Sequence, residues 1–390
     1  MQWSPQQDKA LTQVSEWLLD ISGPQVFYLA GFAGTGKTTL AKHLAEGFET
    51  LFAAYTGKAA LAMRKAGIPT ASTIHSILYD FIPPPISKIK ELEKQYAVAP
   101  SPALLKELTE LKKPQFVLKE ESPIADAELL VLDECSMIDE EMADDILSYG
   151  GKILVLGDPM QLPPVKGTGY FVSRKPDITL TEIHRQALEN PIIALSKRVR
   201  EGGDIPFDFA DNAKRLRAGQ FKPETAANAS QLITGKNATR HRWNDIMRAS
   251  YGRKGTYPVI GDKLICLRNS REYNFFNGMF AEVTSTNSVG PINFGVDLNL
   301  HTEVDEDLEN VQVLSTTFDA RDKECTVPYR LQKDLQQFDY GYCITVHKSQ
   351  GSQFDHVVLI DDKFLSWDQL NRTRWLYTAV TRAVESVLVV

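Results

Sequence analysis

Cysteine is scarce in this sequence, and long apolar runs are absent. The 390 residues include four cysteines, and none of them forms a CxxC pair. This spacing supports neither a zinc site nor an iron–sulfur site and is typical of a reduced chain. No apolar run approaches the roughly 20 residues that a membrane-spanning helix needs. The first residues, MQWSPQQDKAL, lack the basic start and apolar core of an export signal, so we expect a cytoplasmic protein with no membrane partner.

Positive charge is also in short supply, and the sequence has no internal repeat or low-complexity tract. The formal net charge is −7 and the pI is about 5.6, which argues mildly against a nucleic-acid partner. A groove for nucleic acid needs only a local basic lining, so the mean charge does not exclude one. Acidic residues are densest at Glu303–Glu309, a pattern typical of a solvated turn. The length predicts two or three domains.

The most informative motif is GFAGTGKTT, residues 31–39. It follows the apolar run Val26–Ala30 and precedes the helix-like segment Leu40–Leu51, and a strand, a glycine-rich turn and a helix in this order predict a phosphate site. Backbone N–H groups would wrap the phosphates, Lys37 would reach the β- and γ-phosphates, and Thr38 would ligate Mg²⁺. A turn that binds nothing is the alternative. The predicted nucleotide contacts are Gly34, Thr35, Gly36, Lys37, Thr38 and Thr39.

Two further apolar strands end in polar side chains. Residues 129–139 read LLVLDECSMID, and their carboxylates come at the strand end where ligands bind in parallel sheets. Asp133 would hold Mg²⁺ and Glu134 would activate the attacking water, although solvated acids at a strand end are the alternative. Residues 153–165, ILVLGDPMQLPPV, supply Gln161, which can touch the γ-phosphate and the water. The order of strands and loops predicts a RecA-like α/β domain.

Eight motifs follow one another in a fixed order along the chain. They are GFAGTGKTT (31–39), TGKAA (56–60), ASTIH (71–75), VLDECSM (131–137), GDPMQLPPV (157–165), LTEIHRQ (180–186), TVHKSQGSQFD (345–355) and LYTAVTRA (376–383). This set resembles the superfamily 1 helicases, and the wording of HKSQG, LYTAVTRA and ASTIH resembles their 5′→3′ RecD and Dda branch. Phe32 and Cys135 are small departures from the family pattern. The resemblance implies a compact, phage-type DNA helicase that uses ATP and Mg²⁺ in the cytoplasm of a bacterium or of a phage-infected cell.

The resemblance also implies how the chain is organised. We expect an α/β fold with two RecA-like parallel-sheet domains, with ATP in the cleft between them, a pin or wedge insertion and a small β-barrel insertion. The expected bounds are 1–76 and 124–180 for the first domain, 77–123 for the pin insertion, 181–260 and 341–390 for the second domain, and 261–340 for the barrel.

Both insertions carry local signals of their own. Residues 101–113 are helix-like, and residues 261–285 alternate apolar and polar side chains around Asn277-Gly278, which predicts a hairpin. Phe116 is the aromatic residue that we place near the pin. Packing of Phe116 under the insertion is the alternative.

Roles across the expected cleft follow from motif position. Arg185 and Arg382 would be arginine fingers on the γ-phosphate, and a surface salt bridge is the alternative for each. Gln350, with Gly351, would couple the phosphate to a DNA groove. Gln7, in a QxxA arrangement, resembles the glutamine that recognises adenine, and a solvated helix residue is the alternative. The predicted catalytic set is Lys37, Glu134, Gln161, Arg185 and Arg382.

Small polar and basic side chains are predicted to hold single-stranded DNA along both domains. Basic residues clustered in the strand-to-helix segment 232–244 suit a groove that follows a phosphate backbone. The predicted contacts are Thr56, Lys58, Ser72, Thr73 and His75 in the first domain and Thr234, Lys236, Asn237, Arg240, Asn244, Thr345, His347 and Lys348 in the second. Fork DNA is a further expected partner of a monomeric enzyme, and replication or recombination proteins are candidate protein partners.

Two other functions compete with a helicase. A P-loop kinase that phosphorylates a small molecule would not need two separated arginine motifs or a second RecA-like half, so the sequence argues against it. A DNA-stimulated motor subunit that moves along DNA without separating strands stays open. The 5′→3′ direction is implied by the resemblance alone.

Overall fold

A computed structural model of the chain divides it into two compact units. The larger unit comprises Met1–Ile74, Pro123–Lys254 and Gly341–Val390, and the smaller unit comprises His75–Ser122 and Gly255–Tyr340. The structure describes residues 3–82, 84–112, 115–163, 169–182, 190–217, 219–270, 272–287, 294–319, 327, 332, 334–362, 364 and 367–390. Within these ranges, no helix has both the length and the apolar character that a membrane crossing requires.

Helices and strands alternate along most of the larger unit, whereas strands dominate the second segment of the smaller unit. The helices are α1 Pro5–Leu19, α2 Lys37–Leu44, α3 Gly57–Lys65, α4 Ile74–Leu78, α5 Ile86–Val98, α6 Pro102–Leu111, α7 Glu140–Leu147, α8 Tyr170–Ser173, α9 Pro191–Arg200, α10 Pro223–Ala227, α11 Asn237–Ser250, α12 Thr316–Asp319 and α13 Gln369–Val380. The strands are β1 Val26–Gly31, β2 Thr50–Ala54, β3 Ser72–Thr73, β4 Tyr79–Ile82, β5 Gln115–Leu118, β6 Leu129–Asp133, β7 Lys152–Gly157, β8 Ile178–Leu180, β9 Ala213–Arg215, β10 Gln231–Thr234, β11 Lys263–Cys266, β12 Phe280–Thr286, β13 Gly295–Thr302, β14 Asp307–Leu314, β15 Phe338–Tyr340, β16 Cys343–Thr345, β17 Phe354–Leu359 and β18 Ala383–Val389.

The first parallel sheet of the larger unit has the strand order β3-β2-β6-β7-β1-β8. All six residues of β1 are buried, as expected where helices cover both faces of a parallel sheet. On one face, Val14 of α1 and Leu40 of α2 share a core cluster with Leu29 of β1. Register places Ala30 opposite Gly157 and Ala54 opposite Asp133, so β1, β6 and β7 end at the same edge of the sheet.

The second parallel sheet of the larger unit has the strand order β16-β10-β17-β18-β9. Its register pairs Thr234 with Thr345 at the carboxyl ends of β10 and β16. Helix α13 precedes the strand β18 and buries Trp375 and Tyr377 completely. The polar hydroxyl of Tyr377 is therefore drawn inside the unit, where it needs hydrogen-bond partners.

The smaller unit contains an antiparallel sheet of the order β14-β13-β12-β11-β15 and the separate hairpin β4-β5. A bridge between Val313 and Gln336 also joins β14 to the segment just before β15. In the hairpin, Phe81 lies opposite Phe116. Between the two hairpin strands, α5 and α6 pack through a small apolar cluster of Ile89, Leu92 and Leu108.

Most of the predicted local elements are confirmed, and one is wrong in part. Strands occur at Val26–Gly31, Leu129–Asp133 and Lys152–Gly157, the helix predicted in 101–113 is α6, and β11 pairs with β12 as the predicted hairpin requires. The helix predicted over Leu40–Leu51 ends at Leu44 instead. Gly47 follows with a φ of 94°, and the apolar residues beyond it pair as β2 with β6 because a parallel sheet buries them on both faces.

Candidate nucleotide site and nucleic-acid interface

The phosphate loop connects β1 to α2 at the carboxyl edge of the first sheet. Gly36 is the residue before α2 and has a φ of 78°, a left-handed conformation that favours glycine. The Lys37 Nζ atom donates to the carbonyl oxygens of Gly31, at 2.8 Å, and Phe32, at 3.3 Å. The lysine thus folds back over its own loop, and the first N–H groups of any α-helix, here α2, have no partners within the helix. This arrangement is suited to binding phosphate.

A hydroxyl and a carboxylate lie side by side next to this loop. The Thr38 Oγ1 atom donates to Oδ2 of Asp133 at 2.9 Å, and the other oxygen of Asp133 accepts from the Glu134 N–H at 2.8 Å. Hard oxygen ligands of this kind fit Mg²⁺, which also takes phosphate oxygens and water. No group of three or more metal-binding His, Cys, Asp or Glu side chains occurs among the described residues. The residues present fit a magnesium ion that is held mainly by a nucleotide.

Glu134 occupies an unusual backbone position. Its φ of 53° lies in the left-handed region, which costs a residue with a side chain about 1–2 kcal/mol. Burial raises the pKa of the Glu134 carboxyl, the positive charges of Arg382 and Lys37 oppose that rise, and Asp133 adds to it. A carboxyl with a raised pKa is a suitable proton acceptor for water, and strained residues concentrate at functional sites.

The loop after β7 brings Gln161 to the same edge. Asp158 shapes this loop, since its Oδ1 accepts from the Met160 N–H at 3.0 Å and its backbone oxygen accepts from the Gln161 N–H at 3.1 Å. Burial raises the pKa of Asp158. The Gln161 Oε1 atom is buried and has no hydrogen-bond partner among the residues that the structure describes. A buried acceptor of this kind can bind a water or a cationic donor.

The second sheet contributes side chains to this edge as well. Gln350 donates from Nε2 to the Leu162 carbonyl at 2.9 Å, while its Oε1 is buried without a partner in the described part of the chain. Arg382 is 5% exposed and donates to the carbonyls of Thr378 and Ser352, each at 3.1 Å. The effect of its charge on the Glu134 pKa brings Arg382 into the same site. Arg185 lies outside the described residues.

Gln7 and its neighbour Gln6 hold two different segments near this site. Gln7 is 2% exposed, and its Nε2 donates to the Thr35 carbonyl of the phosphate loop at 3.0 Å. Its contact with adenine stays a prediction. Gln6, which the sequence analysis missed, accepts from the N–H groups of Thr181 and Glu182, each at 2.8 Å. Gln6 stands next to Gln7 in the sequence, but the QxxA motif draws attention to Gln7 only.

Several predicted DNA contacts lie at the carboxyl ends of strands. Thr56 caps α3 by accepting from the Ala59 N–H at 3.1 Å, and the Lys58 Nζ lies 5.4 Å from the centre of the Phe354 ring. Ser72 and Thr73 form β3 at the edge of the first sheet.

The corresponding residues of the second sheet follow the same pattern. Thr345 ends β16 and accepts from the Lys348 N–H at 3.3 Å. Burial lowers the pKa of His347, so this histidine offers a neutral ring at pH 7. The Lys236 Nζ lies 5.2 Å from the Phe364 ring centre, and Arg240 donates to Asn237 at 3.2 Å.

The prediction of direct DNA contact is wrong for Thr234 and Asn244. Thr234 is fully buried and donates its hydroxyl to Asp362 at 2.5 Å. Asn244 is 1% exposed, and its amide exchanges two hydrogen bonds with the backbone of Cys343, at 2.9 and 3.1 Å. Asn244 therefore holds the middle of α11 against β16, and Thr234 holds the end of β10 against the segment after β17. Neither side chain reaches the surface, where Lys236 is exposed.

Aromatic side chains cluster on the hairpin of the smaller unit. The rings of Phe81 and Phe116 are 5.8 Å apart, and 45% and 49% of these side chains are exposed. His75 lies 6.1 Å from the Phe116 ring. Phe116 is therefore not packed under the insertion, because half of it faces solvent.

Comparisons with known proteins agree with this geometry. Residues 2–220 match the AAA domain family, and residues 340–390 match the UvrD-like helicase C-terminal domain. The chain is 25% identical to the ATP-dependent RecD2 DNA helicase of Deinococcus radiodurans, over 96% of this chain and 48% of that protein. It is 24% identical to an uncharacterized protein of Methanocaldococcus jannaschii, over 98% of this chain and 38% of that protein. The chain thus spans about half or less of the length of these relatives.

Solved structures of Pif1 helicases share the fold. Bacteroides Pif1 bound to single-stranded DNA aligns with a TM-score of 0.57 at 18% identity, over 100% of this chain and 92% of that chain. Pif1 helicase from Candida albicans aligns with a TM-score of 0.54 at 17% identity, over 100% of this chain and 94% of that chain. The fold and the phosphate loop define an α/β protein with parallel, RecA-like sheets. The chain belongs to the AAA domain family, and its last 51 residues match the UvrD-like helicase C-terminal domain.

Proposed function

We propose that this protein is a DNA helicase that hydrolyses ATP between its two parallel sheets, moves 5′→3′ on single-stranded DNA and separates duplex. The observation that carries the proposal is that two side chains of the second half of the larger unit contact Leu162, directly after Gln161 of the first: Gln350 donates to its carbonyl and Thr378 accepts from its N–H, each at 2.9 Å. A nucleotide bound there would contact both sheets, so its hydrolysis would change how they are held together. A simple phosphate-binding protein has no use for such an arrangement.

The residues around the phosphate loop divide the chemistry among them. Lys37 would bind the β- and γ-phosphates, and Glu134 would take a proton from the attacking water. Gln161 would orient that water through its buried Oε1, and Arg382 would stabilise charge on the γ-phosphate, together with Arg185. When bound, Mg²⁺ would neutralise phosphate charge, and Thr38 with Asp133 would hold it.

The remaining predicted nucleotide contacts surround this centre. Backbone groups of the phosphate loop would wrap the phosphates, Gln7 would reach adenine, and Gln350 with Gly351 would link the phosphate to the DNA-binding residues. The proposed loop contacts are Gly34, Thr35, Gly36 and Thr39.

The proposed DNA path follows the carboxyl edges of both sheets. Lys58, Lys236 and Lys348 supply charge for the phosphate backbone, which explains how an acidic protein could bind DNA. The other proposed contacts are Thr56, Ser72, Thr73, His75, Asn237, Arg240, Thr345 and His347. The neutral ring of His347 would contribute a hydrogen bond and no charge.

The domain assignment supports strand separation. We assign residues 1–76 and 124–180 to one RecA-like domain and residues 181–260 and 341–390 to the other. The hairpin of residues 77–123 would be the pin, and the antiparallel sheet of residues 261–340 would be a small barrel. Fork DNA is then the substrate, and replication or recombination proteins in the cytoplasm are the proposed partners.

Two assays test the function. Single-stranded DNA should raise ATP hydrolysis several-fold, whereas a small-molecule kinase would be indifferent to it. A duplex with a 5′ single-stranded tail should then be unwound faster than the same duplex with a 3′ tail. DNA-stimulated hydrolysis without unwinding of either duplex would instead support a translocase. Lys37→Ala, assayed alongside, identifies any contaminating ATPase.

A further inference from the structure

The hydroxyl of Tyr377 links two loops of the nucleotide site. It donates to Oδ2 of Asp158 at 2.6 Å and accepts from the Ala33 N–H at 2.9 Å. Tyr377 is fully buried on α13, the helix that precedes β18 of the second sheet. Ala33 and Asp158 lie in loops that follow strands of the first sheet. One hydroxyl therefore spans from the second sheet to two strand ends of the first, and both of its hydrogen-bonding roles are used.

Each partner of that hydroxyl leads directly to a residue of the proposed chemistry. Ala33 lies in the phosphate loop, four residues before Lys37. Asp158 forms the turn that carries Gln161, through hydrogen bonds to the N–H groups of Met160 and Gln161. Tyr377 thus sets the spacing between the loop of the phosphate-binding lysine and the loop of the water-orienting glutamine.

Neighbouring side chains of the second sheet contact the same two loops. The Thr378 Oγ1 atom accepts from the Leu162 N–H at 2.9 Å, directly after Gln161. The Arg200 guanidinium, at the end of α9, lies 3.6 Å from the centre of the Phe32 ring, directly before Ala33. The positive charge of a guanidinium is attracted to the face of an aromatic ring. Phe32, which departs from the family pattern in the sequence, therefore has a partner across the site.

We propose that Tyr377 is a positioning residue that makes the geometry of ATP hydrolysis depend on the docking of α13 against both loops. The inference rests on the proposed function. DNA held by the second sheet would act on hydrolysis through this helix, because Arg382 lies two residues after the end of α13. Tyr377 touches no reacting atom, so its contribution lies in aligning the phosphate loop with the Gln161 loop.

Tyr377→Phe tests the inference, because it removes one oxygen and keeps the buried ring. We expect kcat of DNA-stimulated hydrolysis to fall on the order of tenfold, since small misplacements of catalytic groups are costly. KM for ATP and the affinity for single-stranded DNA should change less than about threefold, because a residue that only aligns the two loops does not alter ground-state binding. The ratio of DNA-stimulated to basal turnover should fall, which a loss of stability alone would not cause.

Tyr28→Phe is the matched control. Tyr28 is fully buried in β1, and its hydroxyl has no hydrogen-bond partner among the described residues. Its removal should leave kcat and the DNA stimulation unchanged. Melting temperatures of both variants show whether the effect of Tyr377→Phe comes from unfolding.

Asp158→Asn supplies a second route, which leaves the tyrosine ring untouched. If the Tyr377–Asp158 hydrogen bond carries the effect, the double variant should lose little more kcat than either single variant. Additive losses, or a Tyr377→Phe enzyme as active as Tyr28→Phe, would overturn the inference. Failure of the proposed function is distinguishable, because the wild-type protein itself would then show no DNA-stimulated hydrolysis.

Discussion

A Cβ atom on Gly351 would lie 2.8 Å from Oγ1 of Thr56. The backbone of the loop after β16 therefore packs directly against the first turn of α3. Gly351 also has a φ of 72°. Each sheet contributes one of these residues, and both belong to the proposed path between nucleotide and DNA. Contact this close leaves no room for a side chain, which makes Gly351 sensitive to substitution.

Gly351→Ala should therefore reduce DNA-stimulated ATP hydrolysis and lower the melting temperature. The left-handed backbone alone should cost about 1–2 kcal/mol. Gly202→Ala is the matched control, since Gly202 has a φ of 83° and open space around its Cβ position. If both variants lose the same stability and the same stimulation, the contact with Thr56 has no functional weight.

Lys37 and Glu134 should fail in different ways when substituted. Lys37→Ala removes a charge that binds ATP in the ground state and the transition state, so binding should weaken and turnover should fall about 100-fold or more. Glu134→Gln keeps the shape but removes the base, so ATP should bind normally and turnover should fall about 10²–10⁴-fold. Binding of a fluorescent ATP analogue and steady-state hydrolysis separate the two. Wild-type turnover by Glu134→Gln would exclude its role as the base.

The pH dependence of hydrolysis should reflect the environment of Glu134. The base works only when ionised, and burial raises its pKa above the usual 4.5. Turnover should therefore fall as the pH drops through this raised pKa, at a higher pH than an exposed glutamate would give. The profile of kcat at saturating ATP and Mg²⁺ measures it, and circular dichroism over the same range excludes acid unfolding. An acid limb at or below pH 4.5 would contradict the assignment.

DNA affinity should decrease with salt despite the acidic pI. For single strands, the slope of log affinity against log salt is about −0.7 per phosphate neutralised. Lys348→Ala should flatten this slope by about 0.7, the loss of one phosphate contact. Lys175→Ala is the matched control, because Lys175 is exposed and precedes the amino end of β8, whereas the proposed DNA path follows carboxyl ends of strands. Equal slopes for both variants would remove Lys348 from the DNA path.

Phe116→Ala should slow unwinding more than hydrolysis. Stacking of a base on an aromatic ring contributes about 1–3 kcal/mol, which is comparable to the cost of opening a base-pair step, about 1.4 kcal/mol. The neighbouring Val117, 50% exposed, provides Val117→Ala as a control in the same strand. Strand displacement and DNA-stimulated hydrolysis are measured in parallel. A parallel loss of both activities in Phe116→Ala would place the pin elsewhere, near Phe81 of the opposite strand.

Much of the fold could be predicted from local patterns of apolar and polar residues. Asp133 and Gln161 could be placed at one sheet edge because apolar runs mark buried strands and parallel strands end together. The burial of side chains at strand-to-helix turns could not be predicted from local patterns, because it depends on partners that are distant in the sequence. Thr234 looked like a surface residue of a basic segment, yet its partner Asp362 lies 128 residues further along the chain.

The role of Tyr377 could not be predicted from the sequence for the same reason. The tyrosine stands inside the motif LYTAVTRA, but its partner Asp158 is 219 positions away in the sequence. Only tertiary packing brings the two together. The error over Leu40–Leu51 arose similarly, because a run of apolar residues near Phe52 fits a helix or a buried strand until its pairing with Val131 is known.

The order of the strands along the chain has a consequence for how this protein is made. All six strands of the first sheet lie before residue 181, so that sheet can form while the ribosome is still translating the rest. Strand β10, by contrast, has its neighbours in β16 and β17, more than 100 residues later. The second sheet therefore assembles last and through distant contacts, which are slow to form. A nascent chain would hold a finished phosphate loop well before it acquires the arginine and tyrosine that complete the site.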